Sequence, residues 1–364
     1  MPRNSIDVEN RFPSSVMATQ KDVAKAAGVS SATVSRYLAD PASVRAGAAE
    51  KVRAAIDALG YQVDHSAQSL KTGRFFNVGL LTPGIGPFYW EVTHAIQSIL
   101  NENGYFSSIF FTRDIDNQFH SYRDRLPLFL KKRYLDGIIF FPLNTREDDQ
   151  LLDLLVQWGR PFIVMDRAIA NPAIYQLTVD NYQGGWKAAD VLLEKGHRDF
   201  LFIWGTPQVP SAFDRFQGFS RRLAEAGIAL PSDRQLFGDF FAEPSYHAAK
   251  NALPSLPPFS AVFASNDSSA LGFIRAAHEA GLECPRDFSI IGFDDNREYA
   301  RHTTPTLSTF KQPLREFGLD GAQLLLSLIE GRLIERHRSV YIPEFIERES
   351  IAAVASAWEG LING

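Results

Sequence analysis

The sequence predicts a small all-α head followed by an α/β body of two similar lobes, and three observations lead to this prediction. The pattern of residues 19–59 is helical. From residue 76 onward, short apolar runs of strand length alternate with longer amphipathic segments, which is typical of a parallel sheet with helices on both faces. This alternation stops at Asn171-Pro172 and then restarts, so the body contains two βα series with a cleft expected between them.

Length and charge distribution agree with separate domains. The chain has 364 residues, and ordinary domains contain ~150, so two or three domains are expected. Residues 1–74 hold ten Lys and Arg against seven acidic residues, whereas residues 75–364 hold 27 against 35. A basic head on an acidic body indicates that the head binds nucleic acid and that the body has a different function.

Composition excludes several classes of protein. Hydrophobic residues make up 45% and charged residues 22%, which excludes a largely disordered chain. The single cysteine, Cys284, excludes an intramolecular disulfide and a multi-cysteine zinc site, and it suits a reducing compartment. No segment resembles a secretion signal or reaches the ~20 apolar residues of a membrane span. We therefore expect a cytoplasmic protein. Residues 1–17 are expected to form a flexible extension, and translation could equally start at Met1 or at Met17.

The head contains two short helices joined by a glycine turn. Thr19 is placed to cap the first helix, and Gly28 ends it, because a tight turn there needs a residue that tolerates positive φ. Ser30 is placed to cap the second helix, which turns small polar residues and Arg36 outward. Such a helix-turn-helix fits a major groove. The alternative for this pattern alone is a plain αα-hairpin with solvated serines.

The segments 19–38 and 51–61 resemble the head of the lactose-repressor/galactose-repressor family of bacterial transcriptional regulators. The resemblance implies that Ser31 and Ala32 open the recognition helix where family members choose bases, and that Arg36 contacts a base, with guanine O6 and N7 as natural partners. Ala32 offers only a methyl group, so the operator sequence is not predicted. The residues expected to bind DNA are Thr19, Ser30, Ser31, Ala32, Thr33, Ser35, Arg36 and Leu70.

Residues 66–71 resemble the hinge helix of the same family. The resemblance places Leu70 as an apolar wedge in the minor groove, where such a side chain unstacks a base step and kinks the DNA. Members often carry Pro-Asn before this helix, whereas this chain has Val63-Asp64, and Asp64 can still cap it. The alternative is an ordinary linker turn.

The body lacks the sequence signatures of enzymes. Gly84-Ile85-Gly86 follows a predicted strand but lacks the third glycine of a dinucleotide fingerprint, and no P-loop, HExxH or GxSxG motif occurs in the sequence. The eight histidines have no metal-binding spacing. Taken alone, the pair Asp294-Asp295 could form a catalytic or metal site, but no other motif in the body supports this. We therefore expect no catalytic site, metal or cofactor.

The body instead resembles the family's effector domain, which is similar to periplasmic sugar-binding proteins. Segments 86–90, 164–167, 179–185, 215–219, 265–272 and 291–295 carry the resemblance in order. Polar side chains that follow apolar strands lie at the carboxyl ends of a parallel sheet, where open sheets bind ligands. Carboxylates, an amide, a guanidinium and an aromatic ring suit sugar hydroxyls and the apolar face of a sugar. The predicted effector-binding residues are Phe88, Asp166, Arg215, Phe240, Asn266 and Asp294.

Each effector prediction has a structural alternative. Arg215 and Asp294 could form only an interlobe salt bridge. Asp166 and Asn266 are also placed to cap the helices after their strands, and Phe240 could be core filler. Tyr89 and Trp90 are weaker aromatic candidates.

The sequence thus predicts a DNA-binding transcriptional regulator, a repressor, controlled by a small molecule. The predicted domains are a head at 18–62, a hinge at 63–74, a two-lobed effector and dimerisation domain at 75–350 and a tail at 351–364. The resemblance implies a homodimer on a near-palindromic operator, with a saccharide in the cleft that changes the lobes' orientation. A purine-type effector, or a solute-binding or enzymatic protein with an accessory head, are the alternatives. The tail lacks sustained heptads, which favours a dimer over a tetramer.

Overall fold

A computed structural model of the protein describes residues 18–61, 74–84, 86–112, 122–131, 134–143 and 146–354. They belong to two compact units, divided between Phe75 and Phe76. The predicted hinge helix with Leu70, the extension at 1–17 and the end of the chain from residue 355 lie outside the described residues.

The first unit is a helical head with its own core. Its helices are α1 (Gln20–Ala27), α2 (Ser31–Ala39) and α3 (Ala46–Leu59), with a 3₁₀ turn at Pro41–Ser43. Gly28 ends α1 at φ +64°, a left-handed conformation that glycine adopts without steric cost. The buried side chains that hold the helices together are Val23, Ala24, Ala27, Val34, Val52 and Ala55. Both helices of the predicted helix-turn-helix are confirmed.

The second unit begins with the first βα series, which forms lobe 1. Its elements are β1 (Asn77–Thr82), α4 (Pro87–Glu102), β2 (Phe106–Phe111), α5 (Tyr122–Lys131), β3 (Gly137–Phe140), α6 (Arg146–Trp158), β4 (Phe162–Met165) and β5 (Gln176–Val179). Helix α4 packs on one face of the sheet, and α5 and α6 pack on the other.

The second series forms lobe 2. Its elements are α7 (Asn181–Glu194), β6 (Phe200–Trp204), α8 (Pro210–Glu225), β7 (Gln235–Phe237), α9 (Ala242–Ala252), β8 (Ala261–Ala264), α10 (Asp267–Glu279), β9 (Ser289–Ile291), α11 (Arg297–Ala300) and β10 (Thr309–Lys311). Its parallel sheet has the order β7-β6-β8-β9. Helices α7 and α8 cover one face, and α9 and α10 the other.

The chain then returns to lobe 1 through α12 (Leu314–Ile329) and β11 (Arg338–Tyr341) and ends in lobe 2 with β12 (Glu344–Ile346). Within the described residues, the lobe 1 sheet is parallel with the order β11-β5-β4-β3-β1-β2. Strand β12 pairs antiparallel with β10. The described chain therefore passes between the lobes after β5, after β10 and after β11.

Lobe 2 continues beyond residue 350. Ile351 is buried in its core, and the backbone N–H of Val354 donates to the Lys195 carbonyl at 2.9 Å. The buried His197 ring lies 3.0 Å from the Ala352 carbonyl oxygen, so the chain stays attached to the lobe up to this point. The predicted alternation of strands and helices is confirmed. Strands β5, β7 and β10 were not predicted, because each contains polar residues and no continuous apolar run marks it in the sequence.

Candidate functional site

Helix α2 presents the side chains that the sequence predicts for DNA contact. The Ser30 hydroxyl accepts a hydrogen bond from the Thr33 backbone N–H at 3.1 Å and so caps the helix. Ser31, Ala32 and Arg36 are exposed, and Thr33 and Ser35 are half-buried. Val34, by contrast, is fully buried against α1 and α3. The outer face of α2 is therefore polar and cationic.

Thr19 closes the other end of the motif. Its hydroxyl donates to the Asp22 carboxylate at 2.6 Å, and its backbone N–H donates to the same oxygen at 2.8 Å. This capping box lowers the pKa of Asp22 through the side-chain and backbone hydrogen bonds from Thr19. Thr19 thus orients the first turn of α1, and its expected contact with DNA stays a prediction.

Three charged side chains from both lobes converge in the cleft, and we call them the charged centre. Asp166 directly follows β4 in lobe 1, Arg215 lies on α8 in lobe 2, and Asp294 follows β9 in lobe 2. Arg215 is only 4% exposed, and the two carboxylates are half-buried. The sequence predicted all three as effector-binding residues, and the fold brings them together.

The titration of these groups reflects their proximity. Burial raises the pKa of Asp166 to about 7, with the Arg215 charge lowering it and the Asp294 charge raising it. Burial likewise raises the pKa of Asp294 to about 6, while Arg215 and a hydrogen bond from Gln312 lower it. The pKa of Arg215 is lowered by burial and raised by Asp294 and Asp166. Perturbed groups of this kind in a cleft indicate a functional site.

Arg215 is held by lobe 2 rather than by a direct ion pair. Its Nε donates to Asn181 Oδ1 at 2.8 Å, and a terminal nitrogen donates to the Ser265 carbonyl. The guanidinium lies over the Phe293 ring at 3.7 Å from the centroid. Within the described part of the chain, no salt bridge joins Arg215 to Asp294, so the interlobe salt-bridge alternative is wrong.

The backbone around the carboxylates is unusual. Asp166 has φ +69° and Asp294 has φ +112°, conformations that cost non-glycine residues energy and that cluster at binding sites. Gln312 Nε2, on the chain segment between the lobes, donates to Asp294 Oδ1 at 2.7 Å. The charge of Glu91, in the second turn of α4, also raises the pKa of Asp294. Phe88, in the first turn of α4, is half-buried and packs against the lobe 1 core, so an effector contact by Phe88 stays a prediction.

Phe240 lies in the turn between β7 and α9 of lobe 2. Its half-buried ring lies against Gly205, where an added Cβ would come within 2.3 Å of ring atoms, so only glycine fits beneath it. Phe240 and its neighbour Asp239 both have positive φ, +64° and +51°. Phe240 also packs against the lobe 2 core, so the core-filler alternative and the effector role both stay open.

Asn266 caps α10, as the alternative for this residue predicted. Its Oδ1 accepts from the Ser269 backbone N–H at 2.9 Å, and its Nδ2 donates to the Phe240 carbonyl at 3.0 Å. The amide therefore links the Phe240 turn to the helix, and an effector contact by Asn266 stays a prediction. Asp166, in contrast, does not lie at the N-terminus of a described helix.

Sequence reasoning missed three polar residues of this region. Asn181 and Gln312 hold the charged centre, and Asp267 is a buried carboxyl group behind it. Burial raises the pKa of Asp267 well above its ordinary value, and the Asp294 charge raises it further. Asn181 and Asp267 lie within the segments that carried the family resemblance, so the sequence could have indicated them. Gln312 follows a strand that was not predicted, and nothing in the sequence marks it as part of the site.

The described residues contain neither a membrane-spanning helix nor a metal-binding cluster. None of their helices is long and apolar enough to cross a membrane. In the same part of the chain, no three His, Cys, Asp or Glu side chains are grouped so that they could hold a metal ion.

Comparison with known proteins identifies the family. The model of bacterial regulatory proteins of the lacI family matches residues 19–64, and a periplasmic binding protein-like domain matches residues 189–351. The HTH-type transcriptional repressor PurR of Pectobacterium atrosepticum is 34% identical over 339 residues, which cover 92% of this chain and 97% of that protein. The chain belongs to the lacI family of bacterial regulatory proteins. PurR of Serratia proteamaculans is 35% identical over 344 residues, with the same coverage.

Solved structures of lacI-family regulators have the same fold. A transcriptional regulator CelR-cellobiose complex is 28% identical, covers 92% of this chain and 99% of its own, and has a TM-score of 0.69. A lac repressor dimer bound to operator and the anti-inducer ONPF has a TM-score of 0.80 over the same coverage at 24% identity. The predicted fold, a helix-turn-helix head followed by a two-lobed periplasmic-binding-protein-like body, is thereby confirmed.

Proposed function

We propose that this lacI-family protein is a sequence-specific transcriptional repressor whose affinity for its operator is set by a small molecule bound between the two lobes of its body. The charged centre carries this proposal, because Asp166 from lobe 1 interacts with Arg215 and Asp294 from lobe 2. A ligand that bonds all three groups has a different affinity for open and closed arrangements of the lobes. Such a difference in affinity is what regulation requires.

The head supplies the DNA-binding part of the proposal. Ser31, Ala32 and Arg36 lie exposed along one capped helix, which is the arrangement that a major groove accepts. The Nε of Arg36 donates to the Ala32 carbonyl at 3.5 Å, and the exposed terminal nitrogens are the donors that would reach a guanine edge. Thr33 and Ser35 lie beside it at positions suited to phosphate contacts, which set register rather than sequence.

A saccharide is the effector that the cleft supports best. Carboxylates accept hydrogen bonds from vicinal hydroxyl groups, and the fixed guanidinium of Arg215 donates to them. Phe88 and Phe240 supply apolar rings from opposite lobes. Two similar structures were solved with sugars: the CelR complex with cellobiose, and a regulator from Enterococcus faecium, 28% identical, with bound ribose. The alternative, a purine-type effector, is favoured by the PurR names of the curated relatives.

We further propose that the protein acts as a homodimer in the cytoplasm and has no enzymatic activity. The edge strand β2 exposes Phe106, Ile109 and Phe111, and the neighbouring α4 exposes Trp90. Exposed apolar side chains on an edge strand favour pairing with another chain. The similar lac repressor structure is a dimer on its operator. Sedimentation of the full chain tests this, and a monomer at micromolar concentration would contradict it.

The decisive experiment joins DNA binding to the effector. An operator is first selected from random DNA with the purified full chain, and fluorescence anisotropy then measures its affinity with and without sugars and purines. We expect tight binding to the selected operator, weak binding to random DNA and a change in operator affinity with a sugar. Equal affinity for all DNA would refute the regulator, whereas a response to purines alone would replace the saccharide by the alternative effector.

A further inference from the structure

The first crossing between the lobes in the described chain ends in a buried asparagine, Asn181. This crossing joins Val179, the last residue of β5 in lobe 1, to Asn181, the first residue of α7 in lobe 2. Asp180 alone lies between them, so a rotation of the lobes at this crossing falls on its backbone dihedral angles. Its φ of −76° and ψ of 77° belong to neither a strand nor a helix. We call Asp180 the joint.

The side chain of Asn181 spans the joint. Its Nδ2 donates to the Val179 carbonyl at 3.1 Å, and its Oδ1 accepts a hydrogen bond from Arg215 Nε at 2.8 Å. Asn181 is only 4% exposed, so water competes little for either bond. The amide therefore connects a carbonyl of lobe 1 to the guanidinium of the charged centre in lobe 2.

Helices α7 and α8 hold Asn181 and Arg215 together in lobe 2. The two helix backbones touch where Arg215 lies, because a Cβ added to Gly185 on α7 would come within 2.0 Å of the Arg215 carbonyl oxygen. Helices packed this closely have little room to slide past each other. The bond from Asn181 to the Val179 carbonyl therefore changes when the joint changes or when the amide turns.

The lobe 1 end of this connection is the strand that also holds Asp166. The backbone N–H of Asp166 donates to the Leu177 carbonyl at 2.9 Å, and Leu177 lies two residues before Val179 in β5. A continuous path of covalent and hydrogen bonds thus runs from Asp166 through β5 and Asn181 to Arg215. It joins the two sides of the charged centre through the protein itself.

An effector at the charged centre would act on this path at Arg215. A guanidinium has five N–H donors, and the bonds to Asn181 and to the Ser265 carbonyl use two of them. Arg215 can therefore donate to an effector while its Nε stays bonded to Asn181. An effector that fixes the guanidinium then also fixes the plane of the Asn181 amide, and with it the bond across the joint.

We propose that Asn181 couples effector binding to the orientation of the lobes, because its amide holds the joint in one conformation while Arg215 is fixed. Asn181 is then a positioning residue, whose contribution lies in the response to the effector. This rests on the small-molecule regulation proposed above.

The test uses the full chain, the selected operator and six probes: glucose, galactose, ribose, cellobiose, hypoxanthine and guanine. Fluorescence anisotropy gives the operator affinity without a probe and at a probe concentration that calorimetry shows to be saturating. The ratio of these two affinities measures the coupling, and at saturation it does not depend on how tightly the probe binds. A residue that only stabilises the fold would lower the melting temperature and leave this ratio unchanged.

Two variants act on the joint in different ways. Asn181→Asp keeps an oxygen that accepts from Arg215 and removes the donor to the Val179 carbonyl. We expect its coupling ratio to move towards 1 by about 2- to 13-fold, the effect of one hydrogen bond. Asp180→Gly leaves Asn181 intact and frees the joint, since glycine has more backbone freedom and replaces a capping residue at little cost to the helix. We expect a similar change in its ratio.

Asn77→Asp is the matched control. Asn77 is half-buried, its Nδ2 donates to the Tyr134 carbonyl at 3.3 Å, and its Oδ1 accepts from the Ser108 hydroxyl at 3.2 Å. The substitution removes an amide donor from a backbone carbonyl, as Asn181→Asp does, but at the amino end of β1. The crossings leave the carboxyl ends of β5 and β11, so this variant should keep the wild-type ratio.

The outcomes separate the coupling role from the regulation on which it rests. If none of the six probes changes the operator affinity of the wild type, both are wrong. If the wild type responds and Asn181→Asp has the wild-type ratio, or if Asp180→Gly or Asn77→Asp contradicts its expected ratio, the coupling role is wrong and the regulation stands. If Asn181→Asp does not bind the probe, the ratio of Asp180→Gly decides alone. Reduced coupling in both joint variants, with the wild-type ratio in Asn77→Asp, supports the proposal.

Discussion

Replacing Arg215 by methionine should destabilise the effector unit in a pH-dependent way. Methionine keeps an apolar side chain over the Phe293 ring but removes the hydrogen bonds to Asn181 and to the Ser265 carbonyl. Hydrogen bonds from a charged donor contribute ~1.5–3 kcal/mol each, and removing one partner of a buried charge cluster costs ~3–5 kcal/mol. We therefore expect the free energy of unfolding to fall by about 3–5 kcal/mol at pH 8.

The loss should be smaller at pH 5.5. The pKa values of Asp166 and Asp294, about 7 and about 6, rise further when the Arg215 charge is removed, since that charge lowers both. At pH 5.5 both carboxyl groups are then protonated, and no unpaired buried charge remains. Only the lost hydrogen bonds contribute at that pH, so we expect roughly half of the loss found at pH 8.

Urea unfolding followed by tryptophan fluorescence measures this directly. All five tryptophans lie beyond residue 74, so the signal reports the body and not the head. Arg221→Met, on the same helix, is the control: Arg221 pairs with Glu225 at 3.0 Å on the surface, and we expect a loss of ~0–1 kcal/mol. Equal losses in the two variants, or a loss in Arg215→Met that does not depend on pH, would refute the role assigned to the charged centre.

Three further predictions follow from the head and the cleft. Arg36→Ala should weaken operator binding by ~1–3 kcal/mol and leave random DNA unaffected at the same salt concentration, whereas equal losses would make Arg36 a phosphate-binding or structural residue. The affinity of the full chain for the operator should fall steeply with salt in anisotropy titrations, and residues 18–74 alone should bind poorly; a salt-independent affinity would contradict phosphate neutralisation. Because the folded pKa of Asp166, about 7, exceeds its ordinary value of 3.8, the folded protein holds a proton that the unfolded chain releases, so stability should fall as pH rises from about 4 to 7. Asp166→Asn should flatten this dependence in thermal melts, and an unchanged slope would show that another group titrates.

The sequence by itself determined the head and the order of the βα elements. The signals there are local: Thr19 and Ser30 accept hydrogen bonds from the first turn of their own helices, and Gly28 adopts the left-handed conformation that ends α1. The family resemblance also singled out Asp166, Arg215 and Asp294. Asp166 and Asp294 follow apolar strands, whose carboxyl ends form the ligand-binding edge of a sheet. The contacts of the head residues with DNA, and of the cleft residues with an effector, stay predictions.

Only the tertiary structure decided what surrounds these residues. Asn181 and Arg215 are 34 positions apart, and Gln312 reaches Asp294 from a segment that crosses between the lobes, so no local pattern links either pair. The cavity of about 300 Å³ between the lobes likewise depends on β5, a strand of four residues, lying opposite the start of α8. Burial in a cleft built from both lobes shifts the pKa values of its carboxyl groups, and burial is a property of the packed chain that spacing along the sequence does not encode.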